Sequence, residues 1–263
     1  MLILKGVGKV FNEGTPNEKV ALKDVSLKLD KGEFITVIGG NGAGKSTLIN
    51  LVAGTYFPSG GSIFLDGENI TFTKEYKRAK FIGHLFQDPL KGTAPSLTIK
   101  ENLSLAYDRG HGNMFKIGIS KKEKDIFKTN LESLGMGLEN RMQTKMGLLS
   151  GGQRQAVTLI MATIAKPKLL LLDEHTSALD PAAAEKVSEL TDSIVKKNGI
   201  TTLMITHNIE SALTYGTRTV MLNEGSIILD LSGDERKNMT TLKLLELFKQ
   251  KMGESFSSDK AIL

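Results

Sequence analysis

The chain of 263 residues contains no cysteine, which excludes a disulfide framework and a metal site built on thiolates. It also lacks a long apolar run. The longest purely aliphatic stretch, Leu169–Leu172, is far shorter than the roughly 20 residues that cross a bilayer. The N-terminus reaches Lys5 and Gly6 too soon for a signal peptide. We therefore expect the chain to stay in the compartment where it is made.

The sequence also lacks a long run of one charge sign. Lysine and arginine number 34 against 29 acidic residues, a net charge of +5, and the basic residues are scattered. Direct nucleic-acid binding is therefore not expected. Hydrophobic residues at 40% and charged residues at 24% are typical of a globular protein with a sizeable core.

Hydrophobic periodicity predicts alternating strands and helices. Strands are predicted at Leu2–Val10, Val20–Leu29, Phe34–Ile38, Ser62–Leu65, Phe81–Phe86, Leu169–Leu172, Thr201–Ile205, Arg218–Leu222 and Ser226–Leu229. Helices are predicted at Lys45–Ala53, Ile99–Ala106, Lys121–Leu134, Gly151–Ala165, Pro181–Lys197, Ile209–Tyr215 and Thr241–Lys251. This alternation indicates an α/β fold with a mainly parallel sheet and helices on both faces.

The stretch 88–164 lacks strong strand signals and is interpreted as a helical insertion. We expect a single domain over 1–263, in which 1–87 and 165–252 form the β-rich part and the core. Residues 253–263 are polar and predicted to be a frayed tail.

Residues 39–46 match the phosphate-binding pattern G-x-x-x-x-G-K-[ST], between a predicted buried strand and a predicted helix. Glycines let the backbone N–H groups surround phosphate, and the helix adds the positive end of its dipole. Lys45 would reach the β- and γ-phosphates, and the Ser46 hydroxyl would ligate Mg²⁺. The other nucleotide-binding candidates are Gly39, Asn41, Gly42, Ala43, Gly44 and Thr47.

An acidic pair, Asp173 and Glu174, ends the predicted strand Leu169–Leu172. In an open parallel sheet, ligands bind beyond the carboxyl ends of the strands. Asp173 would therefore hold Mg²⁺ beside the phosphates. Glu174 would orient and deprotonate the attacking water.

A second helix start suited to an anion is predicted at Leu149–Gln153, Leu-Ser-Gly-Gly-Gln, where Ser150 is a good N-cap. Two phosphate-seeking sites in one small chain suggest that each nucleotide is shared between two copies.

Together, these motifs resemble the nucleotide-binding domain of ATP-binding cassette (ABC) proteins over nearly the whole chain. The resemblance implies a P-loop NTPase core, an N-terminal antiparallel β subdomain and an inserted α-helical subdomain. It also implies that ATP and Mg²⁺ are the cofactors. Ser150, Gly151, Gly152 and Gln153 would form the signature motif, which contacts the γ-phosphate bound by a partner copy.

The resemblance assigns roles to five further residues. Gln87 would sense Mg²⁺ and water, and His207 would act as the switch histidine on the γ-phosphate. Phe11 would stack on adenine with Val20 beside it, and Asp180 would join the two sites across the dimer. The catalytic set is then Glu174, His207, Lys45 and Gln87, and the metal set is Ser46, Gln87 and Asp173.

One position departs from the family pattern, because His175 replaces the usual proline after the catalytic glutamate. The imidazole could tune the pH dependence near the γ-phosphate, or it could merely fill the loop. We favour the filling role.

The resemblance implies a homodimer, or paired ATPase subunits, at the cytoplasmic face of the membrane. Permease subunits would dock near Gln87–Leu97, with an extracytoplasmic substrate-binding protein as a further partner. The segments Asp173–Asp180, Phe86–Pro89 and Gly92–Leu97 resemble bacterial uptake cassettes for aromatic amino acids or related small solutes.

Four alternatives remain open on sequence alone. The first is a soluble ABC ATPase that acts on nucleic acid or ribosomes, although the chain shows one cassette and no heptad run. The second is a small-molecule kinase, which would need neither the signature nor His207. The third is a non-hydrolysing binding module, which Glu174 disfavours, and the fourth is the motor of an exporter.

Overall fold

The structure is a computed structural model that describes residues 1–111 and 118–252. It divides the chain into two compact units. The first unit joins Met1–Arg78 to the chain from Thr201 onward, and the second unit is Ala79–Ile200. The predicted frayed tail, 253–263, lies outside the described residues.

The predicted strands and helices are confirmed, with ends shifted by a few residues. The strands are β1 Leu2–Phe11, β2 Lys19–Leu29, β3 Phe34–Ile38, β4 Gly60–Leu65, β5 Glu68–Asn69, β6 Ile82–Leu85, β7 Leu169–Asp173, β8 Thr201–Ile205, β9 Arg218–Asn223 and β10 Ser226–Ser232. The helices are α1 Lys45–Ala53, α2 Glu75–Arg78, α3 Ile99–His111, α4 Lys121–Glu132, α5 Gly151–Thr163, α6 Pro181–Asn198, α7 Ile209–Thr214, α8 Gly233–Lys237 and α9 Thr241–Met252. Short 3₁₀ turns lie at Leu138–Asn140 and Met146–Leu148.

The first unit contains an antiparallel sheet in the order β2-β1-β4-β5. It also contains β3 between two parallel neighbours, β8 and β9, with β10 antiparallel to β9. Strand β3 is buried along its whole length, as expected of a central parallel strand. The helices α7 and α9 pack on this group of strands through a core that includes Ala212, Met221 and Phe248.

The second unit pairs β6 and β7 in parallel, with α5 packed on β6 and α3, α4 and α6 packed on α5. Among the described residues between 88 and 164 there is no strand, as predicted. The only β-type pairing described there is an isolated bridge between Thr98 and Lys145. Buried side chains such as Leu103, Phe127 and Leu159 form its core.

Two short helices that the sequence pattern did not predict are held by arginines. Arg78 of α2 is fully buried and donates to the carbonyls of Leu51 and Val52 at the C-terminal end of α1. Arg236 of α8 donates in the same way to carbonyls at the end of α7, including Ala212. A helix end exposes carbonyls without intrahelical partners, so each arginine caps a helix that lies elsewhere in the chain.

Candidate functional site

The phosphate-binding loop of the first unit follows β3 and leads into α1. Gly39, Gly42 and Gly44 all have positive φ angles, of 155°, 77° and 104°. A Cβ atom on Gly44 would lie 2.6 Å from the carbonyl oxygen of Ala21 in β2. The loop therefore lies against β2 and needs glycine at Gly44 for its conformation and for its space.

Lys45 is the first residue of α1 and is only 7% exposed. Its ammonium donates to the carbonyl oxygens of Gly39 at 2.7 Å and Gly40 at 3.1 Å, so the loop encloses the positive charge. Ser46 follows with an exposed side chain. A buried cation and an exposed hydroxyl at a helix start suit phosphate and Mg²⁺, and the roles of these two residues stay predictions.

Phe11, Val20 and His207 also belong to the first unit. Phe11 ends β1 opposite Lys19, and Val20 is 45% exposed on β2, directly before the Ala21 that contacts the phosphate loop. His207 is exposed two residues beyond β8, which runs parallel to β3. The first unit thus carries all three residues together with the phosphate loop, and their contacts with adenine and the γ-phosphate stay predictions.

The ring of Phe11 packs edge-to-face on Tyr56, with centroids 5.4 Å apart. We predict that Phe11→Ala weakens ATP binding by about 1–3 kcal/mol, because base stacking on an aromatic ring contributes that amount. Calorimetric titration with ATP checks this. Phe72→Ala, an exposed aromatic in the same unit, is the matched control. Equal affinities for the two variants would contradict the assignment.

In the second unit, β6 and β7 end side by side. Their parallel register places Leu85 opposite Leu172, so Gln87 and Asp173 leave neighbouring strand ends. Asp173 is half-buried and Gln87 is exposed. The structure thus places the predicted glutamine and the acidic pair on one edge of the second unit.

Glu174 has a φ angle of +44°, the left-handed region that is unfavourable for a residue with a side chain. The conformation costs about 1–2 kcal/mol and persists only where the surroundings enforce it. Its carbonyl accepts from the backbone N–H of Ser177 at 3.0 Å and from the Ser177 hydroxyl at 2.8 Å. These bonds stabilise the turn that re-aims the chain at the end of β7.

His175 is only 3% exposed, and its Nε2 lies 3.3 Å from the hydroxyl of Thr191 in α6. The favoured role of filling the loop agrees with this burial. The alternative, an ionisable ring that tunes pH dependence beside the γ-phosphate, does not. Burial lowers the pKa of His175 to about 4, so the ring is neutral at physiological pH.

A second histidine, His84 on β6, is half-buried with both ring nitrogens buried, and its ring packs on Phe86 with centroids 4.0 Å apart. Neither ring nitrogen has a hydrogen-bond partner among the described residues. Burial lowers the pKa of His84 to about 4 as well. Both histidines resist protonation in the folded chain because an imidazolium would lose its hydration there.

We predict that the unfolding free energy falls as the pH is lowered from about 6.5 to 4. In this window the unfolded histidines, with a pKa of about 6.5, bind protons that the folded histidines do not. Each buried histidine then lowers the unfolding free energy by up to about 1.4 kcal/mol per pH unit. Denaturant titrations at several pH values measure the slope. His84→Leu should make it shallower, and an unchanged slope would contradict the prediction.

The predicted signature motif forms a capped helix start, as expected. The Ser150 hydroxyl accepts from the backbone N–H of Gln153, and the Gln153 side chain accepts from the N–H of Ser150, both at 3.3 Å. The first-turn N–H groups of Gly151 and Gly152 have no place in the intrahelical ladder, so they suit an anion. Arg154 donates to the Leu149 carbonyl at 2.9 Å and fixes the approach to the helix.

Asp180 also begins a helix. Its carboxylate accepts from the backbone N–H of Ala183 at 3.0 Å, and Pro181 occupies the first turn of α6. The residue is exposed. The structure therefore gives Asp180 a capping role, whereas its predicted coupling role concerns a second copy.

The donors predicted for Mg²⁺ are a hydroxyl (Ser46), an amide (Gln87) and a carboxylate (Asp173). Within the described ranges, no group of three or more His, Cys, Asp or Glu residues is arranged to hold a metal. Mg²⁺ binds through one or two carboxylates together with phosphate oxygens and water. Each of the three side chains offers an oxygen, the donor type that Mg²⁺ prefers.

Two residues that shape the second unit carried no sequence signal. Asn102 of α3 both donates to and accepts from the backbone of Ala94, at 3.0 and 2.8 Å, and so pins the segment after Gln87. Gln155 of α5 is fully buried and donates to two loop carbonyls. A lone amide inside a helical pattern predicts nothing without the positions of its distant partners.

The fold and the loop geometry define a class: a P-loop protein that binds a nucleoside triphosphate, with an acidic pair suited to hydrolysis. No helix within the described ranges is both long and apolar enough to cross a membrane.

Comparison with known proteins makes the class specific. The family model described as ABC transporter matches residues 22–177. A tyrosine transport ATP-binding protein of Clostridioides difficile is 44% identical over 248 residues, covering 94% of this chain and 98% of the relative. A thiamine import ATP-binding protein of Shigella flexneri is 36% identical, covering 77% and 82%.

A solved structure, a dimeric ATP-binding cassette in a post-hydrolysis state bound to ADP and Pi, has a TM-score of 0.74 and 28% identity. It covers 88% of this chain and 98% of the solved one. The chain belongs to the ABC transporter family as an ATP-binding subunit with ATPase activity. The predicted α/β fold with a separate antiparallel sheet is thereby confirmed.

Proposed function

We propose that the chain drives import of a small solute, such as an aromatic amino acid, through separate permease subunits. The observation that carries this proposal is the near full-length similarity to a tyrosine transport ATP-binding protein. The substrate itself is selected by the membrane subunits. A substrate-binding protein at the other side of the membrane would also select it. This chain acts at the cytoplasmic face.

In the proposed cycle, two copies hold each ATP between the phosphate loop of one copy and Ser150 of the other. The dimeric ADP-bound cassette among the structural relatives supports such pairing. Charge-assisted hydrogen bonds from both copies favour the closed dimer. Loss of the γ-phosphate removes the shared ligand, and the dimer opens.

Hydrolysis requires that a water molecule attack the γ-phosphorus while the bond to the β-phosphate oxygen breaks. Glu174 accepts the proton of that water, and Gln87 orients it. Lys45 and His207 stabilise the charge on the transferring phosphoryl group. Ser46, Gln87 and Asp173 would hold Mg²⁺, which would supply positive charge to the phosphate groups.

Permease docking is proposed at Gln87–Leu97. This segment is largely exposed and begins two residues beyond the end of β6, and Asn102 fixes it at Ala94. A cytoplasmic helix of the permease bound there would contact the segment that carries Gln87, so movements of this segment would be transmitted to the permease. The docking site thus adjoins the residue that senses the nucleotide.

Affinity capture of the tagged full chain from its own membranes tests the proposal. We expect integral membrane subunits to co-purify, and the reconstituted complex to show ATPase activity that rises when the aromatic amino acid and its binding protein are added. Co-purification of ribosomal proteins or nucleic acid in place of membrane subunits would contradict the proposal and favour the soluble ABC ATPase.

A further inference from the structure

Gln155 connects three functional segments of the second unit. It lies on α5, the helix that starts after Ser150, and it is 0% exposed. Its Nε2 donates to the carbonyl of His175 at 2.6 Å and to the carbonyl of Phe86 at 3.3 Å. These carbonyls belong to the residue after Glu174 and to the residue before Gln87.

The orientation of this amide is fixed by its partners. If the amide were rotated, Oε1 would face two carbonyl oxygens, and neither could donate a hydrogen bond. In the observed orientation, Oε1 is buried without a partner among the described residues. Leucine would fill a similar volume without the unpaired Oε1, but it would leave the carbonyls of His175 and Phe86 without this donor. The two hydrogen bonds, and not packing, therefore explain a glutamine at this position.

A second contact fixes His175 from the other side. The hydroxyl of Thr191 has one proton, which it donates to the Val187 carbonyl at 2.8 Å. Thr191 therefore accepts from Nε2 of His175, which is the protonated nitrogen of the neutral ring. The residue after Glu174 is thus anchored at its carbonyl by α5 and at its ring by α6.

These anchors lie next to the strained backbone of Glu174, which has a φ angle of +44°. Such a conformation relaxes when its supporting contacts are lost. We propose that Gln155 is a positioning residue. It fixes the segments that carry Glu174 and Gln87 to the helix that begins at Ser150, and so sets the hydrolysis rate without touching ATP. This inference rests on the proposed roles of Glu174 and Gln87.

The test compares Gln155→Leu with the unmodified full chain in ATP hydrolysis and ATP binding. We expect kcat to fall about 10- to 100-fold, because displacement of a catalytic group by about 1 Å costs up to that factor. KM and the ATP dissociation constant should stay within about threefold, since no contact to ATP is removed. Gln155→Met, which also lacks a donor, replaces the leucine variant if that variant does not fold.

Thr158→Val is the matched control, because Thr158 is a buried polar residue of the same helix whose hydroxyl bonds only to the Arg154 carbonyl among the described contacts. Its kcat should stay within about twofold of the unmodified value. An unchanged kcat in the Gln155 variant would overturn the inference, and so would a joint loss of kcat, ATP affinity and thermal stability. If the unmodified chain itself fails to hydrolyse ATP, the proposed function falls first.

Discussion

Glu174→Gln is expected to reduce kcat for ATP hydrolysis by about 100- to 10,000-fold, the contribution typical of a positioned general base. The amide keeps the size of the side chain but cannot accept the proton of the attacking water. ATP binding should persist, because Glu174 follows β7 in the second unit and the phosphate loop lies in the first. Phosphate release and ATP titration measure the two effects separately.

Glu185→Gln provides the control for this experiment. It makes the same chemical change at an exposed position of α6, and it should hydrolyse ATP at the unmodified rate. If Glu174→Gln also retained rapid hydrolysis, Glu174 would not be the base, and the acidic pair would have to be reassigned.

The second large effect is expected from Lys45→Ala. Lys45 is almost fully buried within its loop, and removal of one partner from a buried, hydrogen-bonded charge pair costs about 2–5 kcal/mol. That cost corresponds to an ATP dissociation constant roughly 30- to several-thousand-fold higher. Equilibrium titration with a fluorescent ATP analogue checks the prediction.

Lys31→Ala, at an exposed position of the same unit, is the control for the general loss of a positive charge. Lys31→Ala should bind the analogue with normal affinity, whereas Lys45→Ala should not. Unchanged affinity in Lys45→Ala would remove Lys45 from the phosphate site.

Local patterns in the sequence were sufficient for the elements that carry the site. Continuous apolar runs predicted the buried strands β3 and β7, because parallel strands are covered on both faces. The spacing of glycines and a lysine predicted the phosphate loop. Ser150 was predicted as an N-cap from its residue type, and its hydroxyl does accept from the backbone N–H of Gln153.

The features that local patterns missed depend on partners far away in the chain. The helix α2 is only one turn long and carries Arg78, whose carbonyl partners Leu51 and Val52 lie 27 and 26 residues earlier. The helix α8 depends in the same way on Arg236, bonded to Ala212. Neither helix has enough periodicity to be recognised without its tertiary contacts.

Sequence patterns also did not predict the strained backbone of Glu174 or the degree to which His175 is buried. A left-handed glutamate is recognised only from backbone angles, and the bonds that enforce it come from Ser177 and Gln155. The motif therefore predicted candidate residues in the second unit, whereas the contacts that orient them became visible only in the structure.

We propose that one ATP is bound between the phosphate loop of one copy and the helix start at Ser150 of another. Sedimentation equilibrium of Glu174→Gln with ATP tests it most directly, combined with Ser150→Asn or Ser150→Asp. Both replacements are good N-caps, but only aspartate adds a negative charge facing the phosphate. We predict an ATP-dependent dimer with asparagine and a monomer with aspartate. Equal behaviour of the two double variants, or monomers throughout, would contradict the account.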